Sequence, residues 1–227
     1  KQKDEFLDTV AHELKTPITG IRAATELLMD EGDEMPNEIK EQFLKNIIQD
    51  SDRLGRMINN ILDFEKLETG RLSLNLTKND IQKTINRSIS GLSQLAAKKE
   101  IQMMSHNVHS FELEYDEDRI LQVFTNLISN ALKFVEPNGG KITVDFKMGN
   151  NELEISVSDN GKGIPAEDHD YIFDKFYQSK HQNTIKPQGS GLGLAITKQI
   201  VDKHRGKLWA VRNRKEGACL VFTLPFK

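Results

Sequence analysis

Four short clusters in this chain have residue types and spacings that could do chemistry. The first is His12-Glu13, with Thr16 one helical turn on and Pro17 just beyond. A carboxylate beside an imidazole can hold one ring nitrogen as N–H and leave the other as a free lone pair. Thr16, at i+4, shares the histidine's face. Pro17 interrupts an otherwise helical pattern, removing a hydrogen bond and crowding the carbonyl of Glu13, at a cost of roughly 3 kcal/mol relative to Ala. Strain of this kind is often kept beside a working side chain, the plain alternatives being a tolerated kink and a solvated surface histidine.

The second cluster is Asn126 and Asn130, four residues apart so that both amides share a helix face, with Lys133 a turn further. The third is Asp159-Asn-Gly161-Lys-Gly163-Ile164-Pro165, directly after an apolar run. The fourth, Gly189-Ser190-Gly191-Leu192-Gly193-Leu194, opens a helix-like segment, where glycines let backbone N–H groups approach a phosphate. Each is weak alone. Gly161-x-Gly163 could be an ordinary turn. The glycine triplet at 189–193 is not a Rossmann loop, because no strand precedes it and residues 180–188 are polar and contain Pro187. No G-x-x-x-x-G-K-[ST] P-loop occurs anywhere.

The elements that must position these clusters change character near residue 70. Leu7, Val10, Leu14, Pro17, Ile21, Ala24 and Leu28 repeat as a heptad, placing His12 farthest from the seam and Glu13 outward or flanking. Phe43, Ile47, Leu54, Met57, Ile61 and Phe64 continue at three-and-four spacing, broken at Asp50. Asp30–Asn37 supplies the turn. Two helices of about 30 residues therefore form a hairpin over 1–70, whose stripe calls for a second copy: a homodimer closing a four-helix bundle.

From residue 71 to 227 strands and helices mix. Leu72, Leu74 and Leu76 alternate as a strand would, and Ile81, Ile85, Ile89, Leu92 and Leu95 make a helical stripe. Further strands are predicted at Ile101–Ser105, Phe111–Tyr115, Lys141–Met148, Glu152–Ser158, Lys207–Arg212 and Ala218–Phe226, with helices at Glu117–Phe134 and Leu192–His204. Turns such as Gly149-Asn150-Asn151 are too short for parallel crossovers. The fold class is thus a helical hairpin followed by an α+β sandwich with a mixed, largely antiparallel sheet.

Composition excludes several functions. A net charge of −3 and pI near 6.1 argue against nucleic-acid binding, and no run reaches the ~18 apolar residues of a membrane span. The single cysteine, Cys219, rules out an internal disulfide, and His106, His109, His169, His181 and His204 have no convincing ligand spacing. Trp209 and Cys219 read as packing residues in alternating strands. The abrupt helical start without Met reads as a piece of something longer.

In this order, the clusters resemble those of the sensor histidine kinases of bacterial two-component systems. His12-Glu-Leu-Lys-Thr-Pro17 is similar to the family's phosphoacceptor box and Asn126-Leu-Ile-Ser-Asn130-Ala-Leu-Lys-Phe134 to its asparagine box. Asp159–Gly163 is similar to the first glycine box, Phe173-Asp-Lys-Phe176 to the phenylalanine box, and Gly189–Leu194 to the second glycine box. The resemblance covers essentially the whole chain and implies a dimerisation and phosphotransfer hairpin (1–70) followed by a Bergerat-type ATP-binding domain (71–227).

It further implies residue roles. His12 would be the phosphoacceptor, Glu13 its proton partner, and Thr16 an aid to dephosphorylating the partner regulator. Asp159 would accept from the adenine amino group. Asn130, with Asn126, would hold Mg²⁺ through amide oxygen, which suits a hard cation. Lys133, Phe134, Gly161, Gly163 and Ile164 would line the nucleotide site, with Gly189, Ser190, Gly191, Leu192, Gly193 and Leu194 closing over the phosphates. Phe173 and Phe176 would anchor a polar lid over 177–188. The implied activity is ATP-dependent autophosphorylation of His12 and relay to an aspartate of a response-regulator receiver domain, in the cytoplasmic part of a membrane-anchored protein whose anchor lies outside this sequence. Two alternatives compete: a nucleotide-binding scaffold dimer, and an ATPase of the gyrase, Hsp90 and mismatch-repair type. The latter use a glutamate base where this chain has Asn126, and an amide cannot take a proton from water. Lys175 stands where many relatives carry Arg, a departure that bears on lid contacts.

Overall fold

The computed structural model describes residues 2–226 apart from 33, 107–109, 176, 180–190, 213 and 215; within its helices, the side chains of 2–9, 12 and 68 lie outside the description. Helix α1 (Gln2–Asp30) and helix α2 (Asn37–Glu68) pack against each other as the predicted hairpin. Pro17, Ala24, Met57 and Phe64 of the predicted stripes are buried, and Val10, Leu14, Ile21, Phe43, Ile47, Leu54 and Ile61 are half-buried. The break at Asp50 has a structural counterpart across the hairpin. A side chain at Gly20 of α1 would place its Cβ 2.5 Å from the Asp50 carboxylate, so the glycine makes room where the apolar pattern stops.

Beyond α2 the chain does not enter a strand at once. The Leu72–Leu76 alternation is not a strand: residues 71–76 run without ladder partners, and the first strand, β1, is Thr77–Asp80. Leu72 is buried because it joins the main core, whereas Leu76 is exposed, and the Asn75 N–H is taken by the Asp116 carboxylate rather than a neighbouring strand. Helix α3 (Ile81–Lys98) follows, capped by Asp80, whose carboxylate accepts from the Gln82 N–H. Ile81 and Ile85 are fully buried on it, but Leu95 is exposed, so the buried stripe ends sooner than its spacing indicates.

Strand β2 (Gln102–His106) and strand β3 (Glu112–Tyr115) precede helix α4 (Glu117–Phe134), which Asp116 caps through the Arg119 N–H. Strand β4 (Lys141–Met148), strand β5 (Glu152–Asp159), helix α5 (Gly193–Lys203), strand β6 (Leu208–Ala210) and strand β7 (Cys219–Pro225) complete the order. The main sheet has five strands in the order β2-β4-β5-β7-β6; β2 lies parallel to β4 and every other pair is antiparallel. β1 and β3 form a separate antiparallel pair. The β4–β5 turn closes through Gly149 N–H donating to the Glu152 carbonyl, at 2.8 Å.

Alternation along β4 and β5 turns Ile142, Val144, Phe146, Leu153, Ile155 and Val157 inward against α4, while α5 packs on β6 and β7. Phe124 of α4 meets Phe222 of β7 edge-to-face, with centroids 5.4 Å apart and both rings fully buried. The same core takes in Phe64 and Leu67 from the end of α2, so the hairpin and the sandwich share apolar contacts.

Candidate active site

Three of the four clusters converge where α4, the end of β5 and the start of α5 meet. Asn126, in the middle of α4, donates its amide N–H to the Gly193 carbonyl (3.2 Å) and to the Thr197 hydroxyl (3.3 Å). Thr197, itself fully buried, donates to the same Gly193 carbonyl at 2.9 Å. These bonds fix the first turn of α5 against α4. With the nitrogen committed there, the amide oxygen of Asn126 is turned the other way, and Asn130 stands one turn along. Two amide oxygens of this kind are a donor set that fits Mg²⁺. Among the described residues no group of His, Cys, Asp or Glu side chains could hold a metal by itself.

The β5 end is organised around one carboxylate. Asp159 is only 9% exposed, and its Oδ1 accepts from the Gly161 N–H (2.9 Å) and the Ala218 N–H (3.1 Å). Gly161 has no room for a side chain, since a Cβ would lie 2.6 Å from the Phe134 carbonyl at the end of α4. Gly163 sits at φ +76°, a backbone region that favours glycine. Asn160, unremarked in the sequence, ties this loop to β4: its Oδ1 accepts from the Lys141 N–H at 2.7 Å and its amide donates to the Gly139 carbonyl. Ile164 and Phe173 are half-buried and pack onto the core.

Of the second glycine cluster, Gly191 has φ +65°, Gly193 begins α5 and Leu194 is half-buried. Leu192 is fully buried, so its side chain serves the core and only its backbone can face a ligand. A Cβ at Gly193 would make ordinary contact with Asn126 at 4.0 Å, so that glycine is not sterically required. Gly189 and Ser190 lie outside the described residues, as do Phe176, most of the expected lid, His109 and His181. Tyr177 is described. Its hydroxyl donates to Asp168 at 2.5 Å, and that carboxylate pushes the phenol up to about 12.

The His12 cluster comes to this site from α1. The side chain of His12 lies outside the described residues, though its backbone is helical. Glu13, expected outward or flanking, is half-buried, with Oε2 shielded from solvent. It lies within electrostatic reach of Lys133 near the end of α4. Lys133 is exposed by surface area, yet enough protein surrounds its ammonium that desolvation pushes it below the ordinary lysine value; Glu13 opposes that shift, while Arg53, Arg56 and Lys99 add to it. Thr16 is exposed.

Contacts that sequence reasoning missed hold the hairpin in this position. Asp63 of α2 pairs with Arg119 and accepts from Gln122, both at 2.9 Å and both on α4. The Lys203 ammonium donates to the Leu72 carbonyl, and Lys175 lies 5.2 Å from the centre of the Phe64 ring. No sequence signal marks these pairs, because each joins residues far apart in the chain. His204 is a further structural residue: buried at the end of α5, it accepts the Asp116 N–H at Nε2 and faces the Ile200 carbonyl at Nδ1.

A helical hairpin carrying the His12 motif, packed on a sandwich that bears the amides, glycines and buried aspartate, has the two-part organisation of a phosphoacceptor unit and a nucleotide-binding unit. Two family models agree with it. The "His Kinase A (phospho-acceptor) domain" matches residues 2–70, and "Histidine kinase-, DNA gyrase B-, and HSP90-like ATPase" matches residues 115–227. The sensor protein kinase WalK of Staphylococcus aureus is 34% identical over 229 residues, covering 99% of this chain and 54% of that relative; WalK from strain Newman has the same identity, with 37% of its length covered. The chain thus spans about half the length, or less, of these curated relatives.

Among solved structures, Acinetobacter baumannii histidine kinase AdeS shares the fold, with TM-score 0.73 at 21% identity over 95% of this chain and 98% of that one. Histidine kinase ThkA in complex with response regulator protein TrrA gives TM-score 0.71 at 26% identity, covering 98% of this chain and 61% of that one. Full-length ShkA in complex with AMPPNP gives 0.70 at 26%, covering 98% and 46%. The chain belongs to the sensor histidine kinase family, of which it carries the catalytic core. Its C-terminal part is an ATP-binding domain of the type shared with gyrase B and Hsp90. No described helix is long and apolar enough to cross a membrane.

Proposed function

We propose that this chain is an ATP-dependent protein histidine kinase that phosphorylates His12 and passes the phosphoryl group to an aspartate of a response-regulator receiver domain, with residues 1–70 as the phosphotransfer unit and 71–227 as the nucleotide-binding unit. The observation that carries the reading is that Glu13, next to His12, is half-buried and lies within electrostatic reach of Lys133 near the end of the asparagine-bearing helix. This supports an acceptor segment at the edge of the nucleotide site.

The neutral His12 imidazole attacks the γ-phosphorus of ATP, a P–N bond forms, and the bond from that phosphorus to the β–γ bridging oxygen breaks to release ADP. Glu13 receives the proton hydrogen bond of the other ring nitrogen and stabilises the positive charge that grows on the ring. Asp159 accepts from the adenine amino group, and Lys133 faces the transferring phosphates. The first turn of α5, held by Asn126, adds its dipole and free N–H groups. Mg²⁺, held by the amide oxygens of Asn130 and Asn126, neutralises charge on the phosphates when bound. Thr16, exposed on the acceptor helix, positions water for dephosphorylating the regulator.

The hairpin also supports dimerisation. Leu44, Ile48, Ile58 and Leu62 of α2 are about half exposed, and Ser51 and Gly55 fill the same three-and-four stripe; Ile18 and Leu27 of α1 are exposed as well. A second apolar stripe on an already paired hairpin fits a second copy completing a four-helix bundle. We further infer that the chain is the cytoplasmic portion of a membrane-anchored bacterial sensor.

The test is label transfer from γ-labelled ATP with Mg²⁺, comparing the parent with His12→Gln. Acid-labile, base-stable label that vanishes in the variant is expected. Phosphate release unaffected by the substitution would instead place the chain among the ATPases, and tight ATP binding with no label would favour a scaffold.

A further inference from the structure

Behind Asp159 lies a turn that none of the four clusters includes. The segment between β6 and β7 folds back so that Gly217 presses on the β5 end. Its φ is +63°, and a Cβ there would stand 1.8 Å from the Asp159 carbonyl oxygen and 2.8 Å from the Asn160 Cα, both backbone atoms that cannot yield cheaply. The next residue, Ala218, donates its N–H to Asp159 Oδ1 at 3.1 Å and accepts the Asp159 N–H at 2.9 Å. Arg214 staples the turn from outside, donating to the Glu216 carbonyl and to the Ser158 hydroxyl, both at 3.1 Å.

We propose that Gly217 is a positioning residue for base recognition: its lack of a side chain lets the β6–β7 turn deliver the Ala218 N–H to Asp159 Oδ1, which orients the other carboxylate oxygen toward the adenine amino group. This role of Gly217 depends on Asp159 contacting the base, as in the proposed function. Two backbone donors, Gly161 and Ala218, converge on one oxygen from two different loops, so the carboxylate is held by both. Removing one donor frees the carboxylate to rotate, and the gain from preorganisation is lost.

The experiment compares the affinity for ATP with that for purine riboside triphosphate, which lacks only the amino group, in the parent, Asp159→Asn, Gly217→Ala and Arg214→Gln. A hydrogen bond to a charged acceptor corresponds to roughly a tenfold or larger preference for ATP in the parent. Gly217→Ala should reduce that preference to near unity, whereas damage to the fold at large would weaken both nucleotides alike. If Asp159→Asn keeps the parent's preference, the underlying reading of the base contact fails. If Asp159→Asn abolishes it and a cooperatively folded Gly217→Ala retains it, the turn has no such role. Should Gly217→Ala not fold, Arg214→Gln decides: a reduced preference supports the proposal and an unchanged one overturns it.

Discussion

Replacing Asn126 by Asp keeps the shape and one oxygen of the side chain but exchanges its N–H₂ for a second acceptor. In the structure that nitrogen donates to the Gly193 carbonyl and the Thr197 hydroxyl, tying the middle of α4 to the first turn of α5. Each such bond contributes about 0.5–1.5 kcal/mol, and an acceptor left facing a carbonyl costs about 1–3 kcal/mol more. Asn126 is only half-buried, and the Thr197 hydroxyl can rotate to donate to the new carboxylate. The lower end therefore applies, about 2 kcal/mol. For a chain of this size that lowers the melting temperature by roughly 4–8 °C. The assay is thermal unfolding without nucleotide, followed by far-ultraviolet circular dichroism and by fluorescence of Trp209, the single tryptophan. Were Asn126 nothing more than a cation ligand, a carboxylate would hold Mg²⁺ at least as well and the nucleotide-free protein would melt unchanged. An unaltered melting temperature, with magnesium-dependent nucleotide affinity kept or raised, would refute the view that Asn126 fastens α5.

Two other outcomes are expected. Asn130→Ala, which removes the oxygen ligand altogether, should sharply weaken Mg-ATP binding in calorimetry while the oligomeric state in light scattering stays that of the parent; unchanged affinity would count against the assigned site. His204 introduces a pH dependence. Burial holds its imidazole below the ordinary histidine value, and Nε2 must stay unprotonated to accept the Asp116 N–H. The folded chain thus refuses a proton that the unfolded chain accepts. Stability from this residue is full above about pH 6.5 and declines as pH falls below it, by at most about 1.4 kcal/mol per pH unit, until the folded-state value is reached. His204→Gln should flatten that part of the denaturant-midpoint profile between about pH 7 and 5, and an identical slope in parent and variant would exclude the histidine as its source.

Much was legible in the chain itself because the relevant signals are local. Helix α4 has the predicted bounds, since its three-and-four apolar face is written within its own 18 residues; the Asp116 cap, seen in the structure, fixes its start. The β4–β5 hairpin follows from strict alternation around a glycine-asparagine turn. The motif clusters that carry the functional reading are likewise short runs. What failed was local pattern without local cause: Leu72, Leu74 and Leu76 alternate, but Leu72 goes to the core and Asn75 to Asp116, so no ladder forms. Glu13, expected outward or flanking, is half-buried, and its neighbour was not legible. A heptad ranks positions by distance from the helical seam, and it cannot register that the chain returns to bring Lys133 within electrostatic reach.

Only the tertiary structure decided how the clusters are held. The Asp63 bonds to Arg119 and Gln122, the Asn126 link to Gly193 and the Ala218 N–H on Asp159 join residues 56 to 67 positions apart. Hydrogen bonds and ion pairs act over a few ångströms, so their partners are chosen by the path of the backbone and leave no periodic mark along the chain. Residue chemistry and apolar period determined the kind of protein and the side chains able to act. Packing of α2 and α5 against α4, and of the β6–β7 turn against β5, determined where those side chains stand.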